Sequence, residues 1–398
     1  MESTKAQKIV FFTLTITITI FSSLLAYSPI LCYYIPLIIL ALLNSNSRSL
    51  RLIFVLFSII GGAFFVSSRN IFDAPASDFD VYYNVYQIVL NGGSLIYPDF
   101  SSGIEVFLPT FFKILSLIIG DAPPEFVLAM TVMSQLALVY IWLEWDGLKY
   151  ISDEDKNLCV ASTLGLLFIY MFSQILRQGF STIFCLFALS FYFRGNKKGF
   201  ILFFVLACIS HLSALIVVPM FIIFMRHKLL SVGIVCCTVL FSFIFSLLLP
   251  VIISHNLLGA ASYKLGFYTI TDIDGFDLSS YFKFLIITVL SGLFFFAEGK
   301  PEIKRVILFG GLVYIALLPI PLASDRAMML LAALLPGYMF FFSFYKIKGI
   351  YKVILSLYFV LKILTLGPLY KHNGDNTDPM EYWYLYNWAG DTAFYYVK

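Results

Sequence analysis

Charge is what this sequence has least of. Asp, Glu, Lys and Arg supply 12% of its 398 residues against 60% hydrophobic ones, which excludes a water-soluble globular domain and leaves an integral membrane protein. Cysteine is scarce as well. The six (Cys32, Cys159, Cys185, Cys208, Cys236 and Cys237) lie in or beside apolar runs, and no outward-facing loop carries a pair, so disulfides and thiolate metal sites are not expected. No P-loop, H-E-x-x-H, G-x-S-x-G or Rossmann fingerprint occurs, and no metal, nucleotide or other cofactor is expected. A net charge of +3 is mostly orientation signal and says little about partners; no nucleic-acid-binding surface is evident, and no nucleic-acid partner is expected. No internal repeat, low-complexity tract or soluble linker divides the chain, so residues 1–398 read as a single integral membrane domain.

What is present is a series of apolar runs long enough to cross about 30 Å of hydrocarbon, such as 52–68, 229–250 and 306–322. Lipid offers the backbone no hydrogen bonds, so these runs predict helices. The first, 9–26, follows Lys5 and Lys8 and precedes another apolar run at 29–43 without a small-residue cleavage site, as an uncleaved signal anchor would. Basic loops orient the chain. Those at 44–51, 147–157, 194–199, 226–228, 298–305 and 345–352 all face the cytoplasm under two conditions. The stretch 106–120, interrupted by Pro109 and Lys113, must dip into the outer face without crossing. The stretch 200–225 must turn at Ser210 to Ser213 and return as a hairpin of short helices, with His211 at the outer side. The expected architecture is an all-α polytopic membrane protein with roughly 12 or 13 crossings. The last crossing is weakened by Lys362 in mid-run.

The outward segments are then 69–125, the turn around Arg177, the loop 251–282 and the turn ending at Arg326, joined by the polar, aromatic tail 368–398 if the final run crosses. Arg177 lies between two apolar runs, where a cation needs an anionic partner or a function. Arg326 is placed similarly, so both guanidiniums can reach a shared cavity at one depth. A lipid-linked phosphate or diphosphate is the anion available there, and a guanidinium grips phosphate oxygens as a fork. The plainer reading is snorkelling to headgroups, or pairing with a neighbour such as Asp325.

In the first outward loop Asp80, Tyr83 and Tyr86 or Gln87 share a helix face. Tyrosine faces stack on sugar rings and carboxylates hold sugar hydroxyls, although tyrosines also mark the membrane interface. Asp73, Asp78, Asp80, Asp99 and Glu105 cluster in the same loop. Glu105 opens the dipping segment, where burial would tune it towards general-base work. His211 is either a second candidate base or a turn histidine that fixes the hairpin. Asp272 to Asp274 form an Asp-x-Asp read as a turn. His227 reads as an orientation residue, and His255 and His372 as loop histidines without ligand spacing.

Asp80, Tyr83 and Glu105, followed by Leu176-Arg177-Gln178, the basic turn of Lys197 and Lys198, and the phrase Ala207, His211, Ser213, Ala214, resemble the EpsG branch of the Wzy-type polysaccharide polymerases. The match is strongest over 171–219 and weaker over 78–118. It departs at Val106, where family members often have Pro after the Glu. The resemblance implies a GT-C-like glycosyltransferase in the bacterial inner membrane, working at the periplasmic face. Its substrate would be an oligosaccharide on undecaprenyl diphosphate, and the growing glycan would pass onto the nonreducing end of the next lipid-linked unit. Under that reading Arg177 and Arg326 bind diphosphate, Tyr83, Tyr86 and Gln178 bind glycan, and Glu105, Asp80 and His211 compete for the role of base. A separate chain-length regulator is the implied protein partner. A flippase for the same lipid-linked oligosaccharide would instead show internal pseudo-symmetry and a charged midplane site, for which Lys362 is the nearest candidate. A ligase-like transferase would share the arginine logic with a different acceptor.

Overall fold

The computed structural model describes residues 2–43, 47–68, 78–257, 279–294, 301–320, 323–366, 389, 390 and 392–396, with side chains from Thr15 onward and, in the helix that starts at Ser279, from Leu285. Asp73, Asp272 to Asp274, His372 and most of the two outward segments 251–282 and 368–398 lie outside these residues. Every regular element described is a helix, and no strand occurs among the described residues. The protein is an all-α polytopic membrane protein. In chain order the α-helices are α1 (Glu2–Tyr27), α2 (Pro29–Leu42), α3 (Arg48–Ser67), α4 (Phe79–Leu90), α5 (Phe107–Ile119), α6 (Pro124–Trp142), α7 (Lys156–Gly165), α8 (Ile169–Gln174), α9 (Leu176–Phe193), α10 (Lys197–Ser210), α11 (Ala214–Arg226), α12 (Lys228–Ser254), α13 (Ser279–Phe294), α14 (Pro301–Leu317), α15 (Ala323–Ala327), α16 (Pro336–Ser343) and α17 (Lys348–Thr365).

Among the described residues four helices are long and apolar enough to cross a membrane: Arg48–Ser67, Pro124–Gly147, Leu176–Phe193 and Lys228–Ser254. The helices separate at Ser28, at Ile175 before Arg177 and at His211, where the sequence placed breaks between runs, and also between α7 and α8. The stretch expected to dip forms α5, whose 13 residues reach only about 20 Å. It buries Leu108, Phe112 and Leu115 on one side and exposes Ile114, Leu117 and Ile118 on the other, as suits a helix set in an apolar medium. Lys113 does not break it, because its ammonium donates to the Val89 carbonyl at the end of α4 at 2.8 Å. The expected hairpin is α10 and α11, joined at an extended His211.

The chain forms two compact units. Unit 1 comprises Met1–Gly165, Ile169–Gly179 and Lys352–Lys398. Its α2 and α3 pack with their backbones nearly touching: a Cβ on Gly61 would lie 2.7 Å from the Cys32 carbonyl carbon and the Tyr33 nitrogen. Pro36 removes one amide from α2, and Ser58 of α3 donates to the nearby Tyr33 carbonyl at 2.9 Å. The buried Arg51 forks onto Glu144 at 2.7 and 3.3 Å and reaches Asn157 at 3.2 Å, tying α3 to the π-turn after α6 and to α7. The end of α1 is closed by late residues. Gly390 and Phe394 donate their N–H groups to the Tyr27 and Ala26 carbonyls at 2.9 and 2.8 Å, and the Tyr396 hydroxyl donates to the Leu25 carbonyl.

Unit 2 comprises Leu166–Phe168 and Phe180–Tyr351. Its α14 packs against α11, α12 and α13. Gly310 and Gly311 make room there for Leu331 and Val289, whose methyls would lie 2.1 and 2.4 Å from added Cβ atoms.

Candidate anion site and its surroundings

Just before α5 the chain makes a left-handed turn: Ser101, Ser102 and Gly103 have φ of 49°, 57° and 86°. Such conformations are strained for residues other than glycine and persist where the surroundings impose them. Here the turn brings the Ser101 hydroxyl within 2.8 Å of Glu105 Oε1. Glu105 is only 2% exposed. Its other oxygen, Oε2, is ion-paired to Arg177 Nη1. The guanidinium also lies over the Phe100 ring, 4.1 Å from its centre, and 6.0 Å from that of Tyr82. A buried carboxylate, itself held by the Ser101 hydroxyl, and two aromatic rings thus hold the Arg177 head group, whose side chain keeps 20% of its surface exposed.

Arg177 stands in the first turn of α9 because the apolar run breaks at Ile175, between α8 and α9. Gln135, fully buried in α6, donates from Nε2 to the Leu176 carbonyl at 3.1 Å. Gly179 permits this approach, since a Cβ there would lie 2.7 Å from the same Nε2. Two polar atoms in this region, Arg177 Nε and Gln135 Oε1, are buried without a hydrogen-bond partner among the described residues. Gln178 is buried beside them in the chain.

The Asp80 face of α4 divides in two. Asp80 is exposed. Tyr86 is fully buried, edge-on to Phe112, with its hydroxyl on the Gly120 carbonyl at 2.5 Å. Burial pushes that hydroxyl above the ordinary phenol range. Tyr83 is half-buried, stacks on Tyr86 and donates to the Ala122 carbonyl at 3.0 Å, while Gln87 bridges it to Asp121. These three side chains join α4 to the loop between α5 and α6. Tyr83 retains a partly open ring; Tyr86 does not.

Two further candidates belong to unit 2. His211 Nδ1 accepts the Ser213 N–H at 3.2 Å and lies 2.9 Å from the Ser213 hydroxyl, a hydrogen-bonded turn that fixes the hairpin. Arg326 sits in α15 beside Asp325, which is buried and accepts a hydrogen bond from the Tyr314 hydroxyl at 2.6 Å. Burial raises the Asp325 carboxyl above the usual range, opposed by Tyr314 and Arg326.

All of these residues fall inside one match: the model of the EpsG family covers residues 56–388. The chain belongs to the EpsG family. No curated protein and no solved structure matches it. Within this EpsG-family chain the residues that sequence reasoning did not single out are Ser101, Phe100, Tyr82 and Gln135. Each left a trace. Ser-Ser-Gly before a Glu is a turn signal, and Gln135 is an amide in an otherwise apolar span, where polar groups need a reason.

Proposed function

We propose that this EpsG-family protein is a polysaccharide polymerase. It passes a growing glycan from undecaprenyl diphosphate to the nonreducing end of another lipid-linked repeat unit at the outer face of the inner membrane. The observation that carries the reading is Arg177: a membrane-depth guanidinium braced by Glu105 and Phe100, with a fifth of its side-chain surface left exposed.

In the transfer, the acceptor hydroxyl oxygen bonds to the anomeric carbon of the donor sugar, and the bond from that carbon to the diphosphate oxygen breaks. The electron pair leaves with undecaprenyl diphosphate, and the hydroxyl proton goes to a base. Charge grows on the diphosphate, where a preorganised guanidinium stabilises it. Glu105 has both oxygens engaged, by Ser101 and Arg177, and in this scheme it orients the guanidinium so that the part of the side chain left exposed faces a phosphate oxygen. Asp80 and His211 remain as the candidate bases. Arg326 is the second diphosphate ligand, Tyr83 contacts the glycan, and a chain-length regulator acts alongside.

The test is to replace Arg177 by Ala and by Lys in the native host, check membrane abundance and run the surface polysaccharide on a gel. At normal abundance the long ladder should collapse to single repeat units, reflecting a loss of about a hundredfold or more in rate. A ladder that survives both changes makes Arg177 a structural cation and sinks the proposal. Loss of single units as well points to a ligase.

A further inference from the structure

A second charged cluster is built entirely within unit 2. After α9 the chain turns through Arg194 and Gly195 into α10, whose first turn Asn196 caps by accepting the Gly199 N–H at 3.0 Å. After α11 it turns through His227 alone into α12. The Arg226 guanidinium lies 4.6 Å from the centre of the Tyr192 ring and 6.0 Å from that of Phe193, which brings the second turn against the first. Arg194, Lys197, Lys198, Arg226, His227 and Lys228 are all exposed. No Asp or Glu occurs between Lys156 and Thr271, so neither turn carries an acid of its own; Glu302 stands in the first turn of α14, which packs on α11 and α12. The lysines open α10 and α12, where carboxylates are the favoured residues. Apolar side chains follow at once along both helices: Ile201, Leu202, Leu229 and Leu230 are each more than half exposed.

Orientation of a chain by its basic loops requires cations on one side of the membrane, loop by loop. It does not require two loops to converge or an aromatic support for one arginine, and the exposed apolar residues one turn away are a lipid-facing surface along which acyl chains can lie. Those features fit a ligand with a doubly anionic head and hydrocarbon tails. We propose that these two turns form a binding site for an anionic phospholipid with two phosphates in its headgroup, of the diphosphatidylglycerol type. The phosphates lie between the Lys197–Lys198 turn and Arg226–Lys228, and the acyl chains lie along Ile201, Leu202, Leu229 and Leu230. The site is independent of the polymerase reading.

The test uses the full-length protein purified in detergent, re-lipidated in turn with diphosphatidylglycerol, phosphatidylglycerol and phosphatidylcholine, and examined by native mass spectrometry and thermal unfolding. Diphosphatidylglycerol should be retained at least tenfold over phosphatidylcholine and should raise the unfolding temperature. The double changes K197Q/K198Q and R226Q/K228Q should each lower its retention by tenfold or more, at about fivefold per removed cation. The charge-conserving K197R/K198R should keep it, and serves as the reference should a neutral variant unfold. Equal retention of all three lipids, or unchanged retention in both neutral variants, overturns the site. Displacement of the lipid by millimolar inorganic phosphate, or binding of a polyglutamate peptide in its place, also overturns it by naming a different ligand.

Discussion

Glu105 and Arg177 are the residues on which the site turns, and they test each other. Glu105→Ala leaves a guanidinium at membrane depth without its counter-ion and should cost about 2–3 kcal/mol of stability, together with most of the polymer. Glu105→Gln keeps the shape and one acceptor, so it should retain more of both; thermal unfolding and ladder length read the two effects. If Glu105→Gln instead abolishes elongation at unchanged stability and flattens the acid limb of the pH profile, Glu105 is the base. Gly103→Ala places a Cβ 2.4 Å from Ile96 at a φ of 86°, and should cost about 1–3 kcal/mol while moving Ser101 off Glu105. Asp325 adds a pH signature. Its carboxyl is raised by burial, so its stabilising contribution is present below the ordinary Asp range and fades as pH rises through the raised value. Asp325→Asn should flatten that part of the stability profile. Arg177 and Glu105 could each be read from the sequence as charges out of place. Their pairing could not, because they are far apart in the chain and only the folding of α9 against the loop before α5 joins them. Ser101 escaped because a serine in a turn is ordinary until its φ is known.

At the scale of elements, packing by small residues is the most fragile device. Gly61→Ala would press a methyl into the backbone of α2, and we expect a loss of about 2 kcal/mol or more in thermal unfolding, against near-neutral Gly349→Ala, where the added Cβ meets nothing. His211→Ala should cost about 1 kcal/mol through the lost turn bond to Ser213. Its effect on elongation, measured at matched abundance, separates the turn role from the base role. Local chemistry made two elements legible beforehand. Pro109 with Lys113 marked α5 as a short dipping helix, and the polar Ser210 to Ser213 marked the hairpin. The break at Ile175 carried neither Pro nor Gly and was marked only by Arg177, as the turn expected between two apolar runs. The π-turn at Leu143–Gly147, which forms where Glu144 meets Arg51 of a distant helix, carried no mark.

For the whole molecule, the proposal that Arg177 and Arg326 serve one diphosphate makes a prediction of its own. Their Ala variants should be non-additive in elongation, the double losing little more than the worse single, whereas independent roles would multiply. Sidedness is equally open to measurement. Residues 390–396 fasten to the Tyr27 end of α1, a helix of 26 residues that is about 39 Å long. With α1 read as an anchor whose N-terminus faces the cytoplasm, reporters placed before Met1 and after Lys398 should report opposite faces of the membrane. Reporters on the same side would overturn that topology. The fastening also has a consequence in time. The last carbonyls of the first helix are satisfied by residues that leave the ribosome after every other described helix, so the opening segment of the chain waits for its closure until residue 390 has been made. A nascent chain paused before residue 390 should insert and yet remain open to proteolysis near Tyr27, and release of the final residues should switch that sensitivity off.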